Sequence, residues 1–214
     1  RTATDTFLGQ GQVHAQGFRD TLEVDKTINN SEAFMKSLET ENLVSDFSPR
    51  TVSFGMLSSA LGVNSVLLYG IEPDTERHIS MIDEAVRQGN YLTPPGTGQI
   101  LIGSKAAETL EVETGDRLVL TMAQAGTGEL SQDMFRVTGI FHMGIREIDS
   151  DMAFINIKQA QELLALDRDV HEISLKFNDI NDAGDRSLEF WGKYSEQDNE
   201  ALGWKDLVPQ LDSV

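Results

Sequence analysis

The chain has 214 residues, with 35 Asp and Glu against 17 Lys and Arg, no cysteine, and a formal charge of -18 at pH 7. At 39% hydrophobic residues it is too apolar for a disordered acidic tail and long enough to bury a core, in one domain or two small ones. Its negative field argues against nucleic acid or anionic headgroups as partners; the missing cysteine excludes disulfides, thiolate nucleophiles and Cys-ligated zinc, and leaves the redox compartment open.

No window approaches the roughly 18 consecutive apolar residues of a spanning helix. Arg1 stands where an initiator methionine would. The expectation is a piece of a longer chain, with signal-peptide removal or tag cleavage as other sources of such an end.

Taken in order, residues 12–15 read as a short strand. Asn29, with Glu32 three residues on, reads as an N-cap opening a helix that turns Phe34, Met35 and Leu38 inward and ends near Glu41. From 51 to 56, Val52, Phe54 and Met56 alternate with Thr51, Ser53 and Gly55, the pattern of a half-buried strand with its apolar side in a core. Residues 65–71 are nearly all apolar, as in a strand covered on both faces, joined to its predecessor by a turn at 61–64. After the break at Glu72-Pro73-Asp74, Ile79, Ile82 and Val86 share one side of a predicted helix stopping at Gly89.

A Pro/Gly loop at 93–98 leads to a strand at 100–102, a helix at 104–110 and a turn at 113–116. A hairpin follows, rising through 117–122 to a small, polar tip at 123–132 and returning through Phe135, Val137, Ile140 and Phe141. Then come a strand at 153–157, a helix at 159–166, and a strand in which Ile173, Leu175 and Phe177 alternate with Glu172, Ser174 and Lys176. A last helix after Asp182 puts Leu188 and Trp191 on one side, and 204–211 has no clear period. The class is α+β (mixed α/β). Composition divides it into an outer part, 1–73 with 168–214, and an inserted part, 74–167.

Few residues in this pattern promise chemistry. Residues 93–99 resemble a phosphate loop, but Thr93, Gln99 and Ile100 stand where glycine, lysine and Ser or Thr are needed. Gly9 and Gly11 begin a Gly-x-Gly whose third glycine, Gly17, falls too late for a dinucleotide fingerprint. The four histidines, His14, His78, His142 and His171, form no helical ligand pair. Glu147, Asp149 and Asp151 fit a solvated acidic turn, with weak calcium binding as the alternative. No nucleophile elbow occurs, although a triad assembled only in space would leave no local signature. The expectation is a protein without catalytic, cofactor or metal residues.

The sharpest candidate is the hairpin: Met122, Ala123, Gln124, Ala125, Gly126, Thr127, Gly128, Glu129, Leu130, Ser131, Gln132 and Met134. Met122 and Met134 flank its tip. Thioethers fill irregular cores and also suit adaptable apolar contact surfaces, so the pair fits either packing or partner contact.

Separated motifs run along nearly the whole chain: Gly11-Gln12-Val13-His14 with Gly17-Phe18, Ser48-Pro49-Arg50, Tyr69-Gly70-Ile71-Glu72-Pro73, Gly89-Asn90-Tyr91-Leu92 and Leu101-Ile102-Gly103 with Ala106 and Leu110. Further along come Gly115-Asp116, residues 135–141, Asp149 with Asp151, Ala160-Gln161 with Leu163-Leu164, and Trp204 with Pro209. In order and spacing they resemble the periplasmic domains of FtsX-like ABC transporter permeases, the group that includes lipoprotein-releasing (LolC/LolE-type) and MacB-type permeases. The resemblance implies a MacB-like periplasmic core fold with a porter-like body and an inserted sabre-like body. It implies a non-catalytic domain on the periplasmic face of the bacterial inner membrane, anchored in the full-length protein. There it couples ATP hydrolysis by a cytoplasmic ABC ATPase subunit to handling of a lipoprotein, lipid or other substrate.

A second permease subunit is implied too, with a periplasmic carrier, lipoprotein or hydrolase as further partners. In the lipoprotein-releasing branch a long hairpin recruits the carrier, and the segment between Gly115-Asp116 and Phe135 takes that place with a shorter, less proline-rich tip. The alternative is a regulatory module that gates a periplasmic cell-wall hydrolase.

Overall fold

A computed structural model describes residues 7–94 and 96–208. Strand β1 (Gly11–Ala15) is followed by α1 (Phe18–Thr21), α2 (Ser31–Glu39), and the long strands β2 (Val44–Ser58) and β3 (Val63–Ile71). Two four-residue helices, α3 (Pro73–Glu76) and α4 (Ile82–Ala85), lead into β4 (Val86–Gly89), β5 (Gln99–Gly103) and α5 (Ser104–Leu110). The hairpin is β6 (Arg117–Ala123) and β7 (Leu130–Phe141); α6 (Arg146–Asp151), β8 (Met152–Asn156), α7 (Ile157–Leu164) and β9 (Glu172–Phe177) come next. The chain continues through α8 (Ile180–Gly184), α9 (Glu189–Lys193), β10 (Asn199–Gly203) and α10 (Trp204–Leu207).

Strand pairing closes a ring. β3 pairs with β2 and β8, β8 with β5, β5 with β7, β7 with β6, and β6 returns to β2. Closure removes sheet edges and gives an inside, which Leu57, Leu68, Ile102, Leu120, Phe135 and Ala153 fill, together with Ala106 and Leu110 of α5 and Ala160 and Leu164 of α7. Along its second edge β2 changes partner: residues 44–50 pair with β9, residues 56–58 with β6. Through β9 the sheet runs on to β1 and β10, where Val13, Ile173, Leu175, Phe177 and Ala201 pack under Phe34 and Leu38 of α2 and Phe190 and Trp191 of α9.

The glycine of Leu101-Ile102-Gly103 has a steric reason. A Cβ there would lie 2.1 Å from the Asp149 carbonyl oxygen, so only glycine lets α6 sit against the end of β5.

Several expectations shift once tertiary contacts act. The helix cap is Asn30, at φ 55°, while the Asn29 N–H donates to Asn199 Oδ1 at 2.9 Å. The first turn lies at 59–62, where the Ser59 N–H meets the Gly62 carbonyl, and β3 is buried without break only from Leu68 onward. The helix expected to run to Gly89 is interrupted after α3 and again at Val86, because Val86 pairs with Phe141 of β7 and the ladder outweighs helical periodicity. Ile157 begins α7 instead of ending a strand, and the helix expected after Asp182 divides into α8 and α9. In the unassigned segment α10 spans Trp204–Leu207; Pro209 and residues 210–211 lie outside the described residues. Among the described residues no helix is long and apolar enough to cross a membrane.

Candidate functional site

The outer surface of the ring has two sides. Over β3, β8 and β5 it is covered: Tyr69, Leu101 and Phe154 pack with Phe7, Phe18, Ile82 and Leu92. Over β2, β6 and β7 it is open. Register places Phe54, Met56 and Ser58 of β2 on one outward face with Val63 of β3, Val119 and Thr121 of β6, and Leu130, Gln132 and Met134 of β7. Phe54 is 65% exposed, Met56 47%, Val63 57%, Met134 53% and Leu130 74%.

Val52 is buried with Tyr69 and Phe18 on the covered side as expected, but at Phe54 and Met56 the expected orientation of β2 is inverted. Ser53, Gly55 and Leu57 face the barrel interior, where the Ser53 Oγ–H meets Met122 Sδ and a Cβ on Gly55 would touch Leu120. Of the outward positions on β2, β6 and β7 from 54 to 58, 117 to 123 and 130 to 136, none carries a carboxylate, and Arg117 and Arg136 stand side by side at one end. In a chain of charge -18, that is an apolar surface cleared of negative charge.

The hairpin joins this face, and period-two geometry splits its two methionines. Met134 pairs with Val119 and points out; Met122 pairs with Ser131 and is 2% exposed inside the barrel. The connecting residues, 124–129, are folded back. The Ala125 N–H donates to the Leu164 carbonyl at 2.8 Å and the Gly126 N–H to the Asp25 carboxylate at 2.6 Å. Ala123, Thr127, Gly128, Glu129 and Gln132 are exposed, while Gln124, Ala125 and Ser131 are half-buried. The hairpin is thus a rim of the open face, tied at its tip to the body.

Elsewhere the fold brings together groups the sequence keeps apart. Arg50 is wholly buried where β2 changes partner; it donates to both oxygens of Glu76, to Glu172 Oε2 at 2.9 Å and to the Phe7 carbonyl at 2.6 Å, and its guanidinium lies 4.0 Å from the Phe7 ring centroid. Burial alone would weaken its charge, but Glu76 and Glu172 outweigh that and raise its pKa. Burial likewise opposes the Glu172 carboxylate, yet the His14 hydrogen bond and Arg50 hold its pKa down to about 2. Glu172 and Ser174, the polar members of the β9 alternation, are buried along with its apolar ones.

His14 and His171 sandwich Phe18, with ring centroids 5.9 and 4.9 Å from it. His171 accepts from the Val52 N–H at Nδ1 and donates from Nε2 to the Val24 carbonyl, so both nitrogens are committed, and burial lowers its pKa.

Ser104, His142 and Asp149 also meet, but not as a catalytic relay. Ser104 Oγ lies 2.9 Å and Asp149 Oδ2 3.3 Å from the same atom, His142 Nδ1, whereas a relay needs serine and carboxylate on opposite ring nitrogens. The buried Asp149 carboxylate accepts the Met143 and Gly144 N–H groups, so the expected acidic turn is a helix holding a loop. The loop at 93–98 is closed by Gln99, whose side-chain carbonyl accepts the Thr93 N–H. Among the described residues no three His, Cys, Asp or Glu side chains are placed to hold a metal ion.

Comparison with known proteins identifies the family and the fold. The family profile described as MacB-like periplasmic core domain matches residues 2–185. The lipoprotein-releasing system transmembrane protein LolC of Xylella fastidiosa is 29% identical over 124 residues, 56% of this chain and 30% of that protein. LolC of Neisseria meningitidis is 24% identical over 165 residues, 75% of this chain and 40% of that protein. The chain therefore spans well under half the length of these relatives. The crystal structure of the periplasmic region of MacB from Actinobacillus actinomycetemcomitans superposes with a TM-score of 0.63 at 14% identity, covering 97% of this chain and 95% of that one. That likeness shows the fold.

Proposed function

Because the chain belongs to the MacB-like periplasmic core domain family, we propose that it is the periplasmic part of a longer ABC-type permease and that its open barrel face docks a soluble partner during release of a lipoprotein or other lipid-bearing substrate. It performs no covalent step. In this reading a cytoplasmic ABC ATPase and a second permease subunit supply movement through membrane segments, and the domain passes it on. Residues 1–73 with 168–214 form the porter-like part and residues 74–167 the inserted part.

The observation that carries the reading is the uncovered apolar face of Phe54, Met56, Val63, Leu130 and Met134, beside the hairpin and without carboxylates. Its chemistry suits a partner with an apolar centre, and Arg117 and Arg136 suit acidic groups at that partner's rim. The LolC relatives belong to a lipoprotein-releasing system, which supports the substrate class.

The test is Phe54→Ser with Met134→Ser in the full-length permease, followed by the amount of lipoprotein released from inner-membrane vesicles. Both side chains are exposed, so the variant folds and release falls. Unchanged release from a folded variant would sink the docking role.

A further inference from the structure

The chain has seven methionines and no thiol. Met122 is buried, and Met35, Met81, Met143 and Met152 are half-buried; Met56 and Met134 are the two exposed ones, at 47% and 53%. Both point out of the same barrel face with only β6 between their strands. Their neighbours there are Ser58, Ser65, Val119 and Thr121, none of which competes for an oxidant.

We propose that Met56 and Met134 are oxidation sites that switch this face from apolar to polar. A peroxide-class oxidant transfers one oxygen atom to the thioether sulfur: the O–O bond breaks, an S–O bond forms, sulfur is oxidised to the sulfoxide, and hydrogen peroxide is reduced to water. Each sulfoxide turns an apolar thioether into a strong hydrogen-bond acceptor, and it disfavours dry contact with an apolar partner. Because both sites lie outside the core, the change alters the surface and leaves the barrel folded. The consequence for docking rests on the reading proposed above.

The chain is treated with hydrogen peroxide, and oxygen uptake at each methionine is followed by peptide mass spectrometry. In parallel, the emission of an anilinonaphthalene sulfonate dye reports the apolar face, and circular dichroism reports the fold. Met56 and Met134 gain oxygen ahead of the other five, dye emission drops with unchanged dichroism, and Met56→Leu with Met134→Leu abolishes the drop. Oxidation of Met56 and Met134 no faster than Met122 would overturn the assignment of the sites. Oxidation in the expected order with undiminished emission would overturn the switch. No dye emission from untreated protein would count against the docking reading itself, while the order of oxygen uptake still decides the sites.

Discussion

The two sides of the barrel meet along β2, and they treat residue polarity in opposite ways. Arg50, the most polar side chain of the strand, is 0% exposed, and Phe54, four residues on, is 65% exposed. On the covered side the segment at Phe7 and helix α3 lie over the sheet, and Arg50 holds both, through the Phe7 carbonyl and Glu76. On the open side nothing in the described residues lies over Phe54, Met56 and Met134. Burial therefore follows from what the topology lays over each side, and the apolar residues left outside are available for contact.

Removing the clamp breaks the contrast most strongly. Arg50→Met leaves Glu76 and Glu172 buried without their cation, and the expected loss is about 3 to 5 kcal/mol in urea unfolding. Retained stability would mean that the covering segments are held by apolar packing alone. Leu120→Ala opens a hole inside the ring and should cost about 2 to 5 kcal/mol, with a matching fall in the thermal midpoint.

Acid probes the covered side without mutation. His171 and Glu172 both have lowered folded-state pKa values, so each contributes stability above its unfolded value that is lost as pH falls toward the folded one. Stability should decline as pH drops below about 6.5, where unfolded histidine takes up protons, and again between about 4.5 and 2, where Glu172 does so late. Denaturation midpoints across that range check both steps, and Glu172→Gln should flatten the lower one.

The smallest stability effect belongs to the open side. Phe54→Ser should stay within about 0.5 kcal/mol of the parent chain while lowering dye binding to the face. A large destabilisation would show that Phe54 is covered after all and erase the contrast.

Much of the fold was legible along the chain. Local signals carried α5 to both its ends, β1 and β5 to within a residue, and the hairpin with Met122 beside its tip, because turn residues and short-range alternation act within a few positions. The candidate hairpin residues were readable for the same reason. Phe54, Met56 and Val63 were missed as part of the proposed face, since an apolar alternation reads as a core face and nothing local says which side stays uncovered. The one hint was Ser53 and Gly55 between them, small enough to face a packed barrel interior.

The sequence by itself determined the mixed class, the acidic and thiol-free surface, the order of most elements and the family resemblance, since composition, turn chemistry and short motifs are properties of neighbours in the chain. The tertiary structure alone decided three things. It closed β2, β3, β8, β5, β7 and β6 into a ring, gathered Arg50, Glu76, Glu172 and His14 from positions up to 158 residues apart, and turned Met122 in while turning Met134 out. Each depends on strand register and long-range pairing, where a shift of one residue reverses every side chain and no local pattern fixes the choice.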